Sequence, residues 1–303
     1  MSELIISNVD DRFQIESFII DKLSTVGAGI LDSRHPSFTN EEKLKILRMK
    51  YWDDFVADAT ETGHFISTQN GKIKVAIRTI NQDISVIAGY IFESLTVRLA
   101  NEVNRRFGYD IFKWSTSRKR LSSRFYSKYQ TVGVGFPMTN QTFPGYYNPN
   151  FRQFDVMFLT MNEELGRPEP ATIVNTTIPA GVQIKAITSN ELTNIIEPLI
   201  SGQYNNVITY LRHPSGEHSY EVCIREIKKL YRNGKITGFQ KEKLEDSIGY
   251  PEMFGIYQRD VDDYYHFIRA WYNENAKEDD NILKAIGMQA QEVRNGSSFI
   301  TVI

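Results

Sequence analysis

The chain has one cysteine, Cys223, in 303 residues. That excludes an internal disulfide framework and any cysteine-rich zinc site. Cys223 sits in an apolar helical pattern with Val222, Ile227 and Leu230, which reads as a buried structural thiol and not a nucleophile. The five histidines, His35, His64, His213, His218 and His266, include no pair at HxxxH spacing. Of these, His213 is the one set aside as a candidate, because a Pro-Ser-Gly turn follows it toward His218. No GxxxxGK(S/T) phosphate loop, GxGxxG fingerprint or GxSxG elbow is present, so nothing supports an NTPase, a dinucleotide enzyme or an α/β hydrolase. Long apolar runs are missing as well: no stretch approaches the ~18 residues needed to span a bilayer. The N-terminal residues carry early acids instead of a basic region followed by an apolar one, unlike a secretory signal. A cytoplasmic protein without membrane contact is the expectation. Formal net charge is only -2, so a nucleic-acid partner would need a locally basic surface.

What is present reads as an α/β core with helical additions at both ends. Residues 1–83 form an N-terminal extension, 84–214 the core and 215–303 a C-terminal helical region. The extension is expected to hold a helix from Asp10 through Leu23, a second from Thr39 through Phe55 with Glu42 as capping-box partner, and a strand over 72–80. In 84–106, Ile84, Ile87, Ile91, Leu95, Leu99 and Val103 recur at helical spacing. Strands are expected at 109–115, 154–161, 181–188 and 206–211, with a helix over 190–202 and a loop-rich insertion before 154. Helices over 219–232, 238–247 and 260–276 follow. In the last, Tyr264, Phe267, Ile268 and Trp271 form one apolar stripe, which reads as core; exposed, it would be a protein-binding face.

Two features carry chemistry. Gln183 and Lys185 are two apart on a strand that is otherwise apolar, so both leave the same face. Burying them costs free energy and calls for a function. Asp155 stands between Phe154 and Val156 at the start of another apolar strand, where a carboxylate is equally out of place. If the strands are neighbours, the three converge. An acid and an amide carbonyl are oxygen ligands suited to a hard cation such as Mg²⁺. A lysine beside them can orient or help deprotonate water, or stabilise charge developing on a phosphoryl group. Glutamine in place of a second acid leaves the site less negative. Because 28 residues separate Asp155 from Gln183, long for a hairpin, Glu163, Glu164 or Glu169 remain alternatives for the acid.

This D…QxK arrangement and the order helix, strand, strand, strand, helix, strand resemble the PD-(D/E)XK, or restriction-endonuclease-like, nuclease superfamily over roughly residues 84–212. Asp155 matches the acid of the second core strand, although Phe154 precedes it where the pattern has proline. Gln183-Ile184-Lys185 matches the QxK form of the third strand. The resemblance implies a mixed central sheet and a metal-assisting glutamate on the first helix, for which Glu93 is the better match and Glu102 the weaker. It implies Asp155, Gln183 and Glu93 as ligands of Mg²⁺ or Mn²⁺, and Lys185 as their catalytic partner. The function so implied is a metal-dependent endonuclease cutting DNA (RNA is not excluded), such as an effector of bacterial defence against foreign DNA. An activating or recognition protein, or self-association, would accompany it. Two other readings stand beside it: a catalytically silent nuclease-like scaffold, and a different α/β enzyme in which Asp155 and Lys185 are coincidental.

The local basic surface has one candidate. Between residues 105 and 128, eight cations face a single acid, Asp110, with Trp114, Phe125, Tyr126 and Tyr129 interleaved. Lys113, Arg118, Lys119, Arg120, Arg124 and Lys128 are the expected phosphate contacts and the rings the expected stacking surfaces. The plainer reading is a solvated loop whose rings belong to the core.

Overall fold

The computed structural model describes residues 4–6, 51, 53–67, 73–76, 82–102, 106–275 and 300–302. The chain divides into two compact units, Met1–Ile84 with Asp263–Ile303, and Ser85–Asp262. In the first, residues 53–61 are helical and Phe65–Ser67 pairs antiparallel with Ile73–Val75. Phe55 lies against Phe65, Phe267 and Trp271, with ring centroids 4.8–5.4 Å apart, and Tyr264 Oη donates to Asp58 Oδ2 at 2.8 Å. The aromatic stripe of the last helix is therefore core. The expected helix at 10–23 and the first part of the one opening at Thr39 lie outside the described residues, as do 77–80 of the expected strand.

The second unit is built on a mixed sheet, mostly antiparallel in its pairings, flanked by helices. Besides short helices at Ser123–Tyr126 and Pro137–Thr142, its helices are α1 (Ile84–Asn101), α2 (Arg106–Ser115), α3 (Glu197–Ile200, preceded by a π-turn at Leu192–Ile196), α4 (Ser219–Arg232), α5 (Gly238–Asp246) and α6 (Gln258–Asn275), the last continuing into the first unit's residues. Its strands are β1 (Tyr129–Gly133), β2 (Val156–Asn162), β3 (Arg167–Pro170), β4 (Gly181–Lys185), β5 (Val207–Thr209) and β6 (Ile248–Gly249). The order across the sheet is β1-β2-β4-β5-β6. β2 runs antiparallel to β1, β3 and β4, while β4, β5 and β6 are mutually parallel. Burial on both faces explains the near-continuous apolar runs of β2 and β4.

Two expectations are corrected. Residues 109–115 are not a strand but most of α2, whose Phe107, Ile111, Phe112 and Ser115 fall on one buried helical face. The first strand is instead β1, inside the stretch expected to be a loop-rich insertion. The sheet's unit also runs past residue 214. α4 and α5, each opened by a capping box (His218 with Glu221, Thr237 with Gln240), pack with β6 around Cys223, Ile227, Leu244 and Ile248.

The long step from Asp155 to Gln183 has a simple geometry. β3 pairs with Leu159–Asn162 and β4 with Val156 and Met157, so both lie along one edge of β2. Residues 172–179 form an excursion closed by the Thr172–Pro179 bridge. Chain re-enters the sheet at Gly181, where an added Cβ would stand 2.4 Å from Phe154 Cγ and 2.7 Å from the Val156 carbonyl oxygen. Alanine ordinarily suits a strand better than glycine. Here, Gly181→Ala is expected to lower stability by about 1–3 kcal/mol, the usual cost of overpacking, read as a fall in melting temperature.

Candidate active site

The site forms where β2 and β4 part. Their ladder stops at Val156–Val182. One residue earlier, the Asp155 backbone still bonds on both sides: its N–H donates to the Val182 carbonyl at 3.0 Å, and its carbonyl accepts from Val134 N–H at 2.8 Å. The next N–H of β4, that of Ile184, donates not to a backbone carbonyl but to Asp155 Oδ2, at 2.7 Å. Gln183 Nε2 donates to the same oxygen at 2.7 Å. The carboxylate thus takes the position of a strand acceptor, in the plane of the sheet.

An ionised carboxylate accepts only, so the amide of Gln183 must present its nitrogen to Asp155. Its other end is thereby committed. Gln183 Oε1 is enclosed and has no hydrogen-bond partner among the described residues, in a residue only 7% exposed. A buried acceptor left in this way is costly, and it is what a neutral metal ligand looks like before binding.

Glu93 comes from α1. Phe92 stacks on Tyr210, the residue after β5, at 4.8 Å between centroids, and Thr96 Oγ1 and Tyr210 Oη are 2.6 Å apart. These contacts fix the rotation of α1 and bring Glu93 within electrostatic range of Asp155 and Lys185. Burial, then the Asp155 charge, pushes the Glu93 carboxyl well above its ordinary range, while Lys185 opposes the shift. Burial also raises Asp155, to about 6, against the Ile184 N–H, the Lys185 cation and the Gln183 amide, which favour the ionised form. Two carboxyls forced up together at one point are typical of functional sites. Lys185 shares the face of Gln183, and its Nζ lies 5.1 Å from the ring centroid of Tyr204.

The structure therefore brings together Glu93, Asp155, Gln183 and Lys185. It leaves the alternatives elsewhere. Glu163 and Glu164 sit in the exposed turn at the far end of β2, Glu169 pairs loosely with Arg167 at 3.9 Å, and Glu102 with Arg98 at 3.9 Å. Of the basic segment, Lys113, Arg118 and Lys119 line a cleft of about 1070 Å³ that reaches Tyr204. Arg120, Arg124 and Lys128 are exposed and outside it. Arg118 lies 4.9 Å from the Phe125 centroid, and Tyr126 is core.

The chain matches no protein family, no curated protein and no solved structure with which it was compared. Among the described residues no helix is long and apolar enough to cross a membrane, and no three His, Cys, Asp or Glu side chains converge as around a metal ion. The donor set at the β2–β4 fork is of another composition: two carboxyls and one amide oxygen. All are hard oxygen ligands, and with the open Oε1 of Gln183 they fit a magnesium-like cation that keeps part of its water shell.

Tyr204 was not foreseen; it stands in the polar loop Ser201–Asn206, which carries no motif. Glu191 was also missed. Its buried carboxylate meets His213 Nε2 at 2.5 Å and Ser219 Oγ at 3.1 Å, tying the start of α4 to the loop after β4. Cys223 is buried beside it, its thiol pushed up to about 12 by burial and then by the Glu191 charge, which fits an inert thiol. His218 acts as N-cap of α4, with Nδ1 accepting from Tyr220 N–H at 3.0 Å.

Proposed function

We propose that the protein is a metal-dependent endonuclease that hydrolyses phosphodiester bonds in DNA, on a core of the restriction-endonuclease-like kind. The observation that carries this reading is the Asp155–Gln183 pair: one oxygen of Asp155 is tied down by two N–H donors, so that Gln183 Oε1 is presented unpaired beside Glu93 and Lys185. The element order adds support, since α1, then β1, β2 and β4, a helical turn and β5 in a mixed sheet follow the order the resemblance implies.

Asp155, Gln183 and Glu93 would hold the cation. Bound there, a divalent ion supplies charge that polarises the phosphate and makes an attacking water more acidic. The chain's own groups do the rest. The Ile184 N–H and the Gln183 amide favour the ionised form of Asp155 and fix its direction. Glu93, its carboxyl raised by burial and then by the Asp155 charge, is a more basic carboxylate than usual and can accept a proton beside the site. Lys185, steered by the Tyr204 ring, offsets negative charge gathering on the phosphoryl oxygens.

A silent scaffold is the second reading, favoured by the glutamine in place of an acid and by carboxyls that tend to hold protons. Supercoiled plasmid separates the two. Conversion to open circles in Mg²⁺ and none in EDTA is the expected result; intact plasmid in both, with the protein folded, would leave the scaffold.

A further inference from the structure

The geometry points to the cleft beside Tyr204 as a binding groove for single-stranded nucleic acid, with phosphates along one wall and unpaired bases stacked against the other. The inference rests on the nuclease reading for what happens at the neighbouring fork, not for the binding itself. The cleft belongs wholly to the sheet's unit, and at about 1070 Å³ it is large enough for more than one nucleotide. One wall is the end of α2 and the following loop, carrying Lys113, Arg118 and Lys119. Facing it, α5 contributes Phe239, which is 77% exposed. So large an apolar ring at a cleft mouth is what a stacking platform requires.

The floor is rigid. Trp114 Nε1 donates to the Asp246 carbonyl at 2.8 Å and its ring packs 5.2 Å from that of Phe254. Two donors in the lining, Arg118 Nε and Asn205 Nδ2, are enclosed without a partner among the described residues and suit the acceptor oxygens of phosphates and bases. Acids also line the cleft. Asp110 is paired with Arg106 at 3.7 Å and Glu245 with Lys241 at 2.9 Å. Glu242 and Asp246 lie with Lys243 on α5, on the wall of Phe239, so the excess of positive charge that suits phosphates is on the side of Lys113, Arg118 and Lys119. Bases paired in a duplex present only their edges, so a groove walled by rings reads unpaired faces. Tyr204 lines the cleft and carries Lys185 Nζ 5.1 Å from its ring centroid, so a strand bound here lies next to a residue of the fork.

The test is fluorescence anisotropy of the full chain in EDTA, where nothing is cut, with labelled oligothymidine of about twelve nucleotides and the same length as duplex. Single strand should bind at least about tenfold tighter than duplex, since only it offers base faces. Phe239→Ala should weaken single-strand binding by at least about fivefold, and Phe239→Tyr should stay within about twofold of wild type. Lys113→Ala with Lys119→Ala should flatten the plot of log affinity against log salt by about 1.4, the loss of two phosphate contacts on a single strand. Tyr257→Ala, equally exposed but outside the cleft, should change nothing. Duplex binding as tight as single strand, or indifference to Phe239→Ala, would overturn the proposal. Binding is read without metal, so a plasmid left intact in Mg²⁺ contradicts the nuclease reading alone.

Discussion

Lys185→Ala should slow DNA cleavage by about 10²–10⁴-fold, the range for removing one positioned proton-transfer or charge-stabilising group, while leaving binding of Mn²⁺ in place. The split follows from the geometry. Lys185 lies near both carboxyls but is no oxygen donor, so its removal spares the ligand set. Single-turnover rates, compared with calorimetric titration of Mn²⁺, measure the two effects separately. Equal loss of both would mean that Lys185 holds the site together instead of acting in the reaction. Tyr204→Leu should share the direction of the rate effect with smaller size, because a cation over an aromatic face is worth only about 0.5–2 kcal/mol.

Asp155→Asn should raise the melting temperature of the metal-free protein. A carboxyl carried from 3.8 to about 6 on folding disfavours the folded state by about 3 kcal/mol at any pH above both values. Asparagine keeps an oxygen for the Ile184 N–H and the Gln183 amide and brings no charge beside Glu93. The expected gain is about 1–3 kcal/mol, or roughly 3–8 °C for a unit of this size. The pH dependence has a definite direction. A folded-state value above the unfolded one means that stability from protonating Asp155 is complete below 3.8 and is lost as pH rises through about 6. Wild type should therefore gain stability between pH 7 and pH 5, and the asparagine variant should show a shallower slope, keeping only what the raised Glu93 carboxyl contributes in the same direction. With magnesium the order should reverse on the proposed reading, since a ligand stabilises only the chain that binds it.

Three groups of the candidate site were legible because each breaks a local rule. Gln183 and Lys185 interrupt an apolar strand at period two, and Asp155 interrupts the run from Phe154 to Leu159. Helical spacing gave only the helix that carries Glu93; Glu93 itself was singled out by the resemblance, which implies a glutamate there. The failures were of short elements. β1 is punctuated by Gly133 and closely followed by Gly135 and Pro137, so it looked like loop. β3, Arg167–Pro170, holds two prolines and is tolerated because it pairs only with β2, at an edge. The window from Tyr109 to Ser115 concealed a helix because its phase is set by Phe107, just upstream. Tyr204 and Glu191 act through tertiary contacts made by loop and turn residues, and no spacing rule marks those.

The most direct test of the β2–β4 fork as a cutting centre is plasmid cleavage in Mg²⁺ by wild type and Asp155→Asn, with melting curves on the same samples. The expected result is a variant that melts higher without metal and leaves the plasmid supercoiled while wild type nicks it. A stable variant that nicks at the wild-type rate would contradict the assignment and move the chemistry away from Asp155.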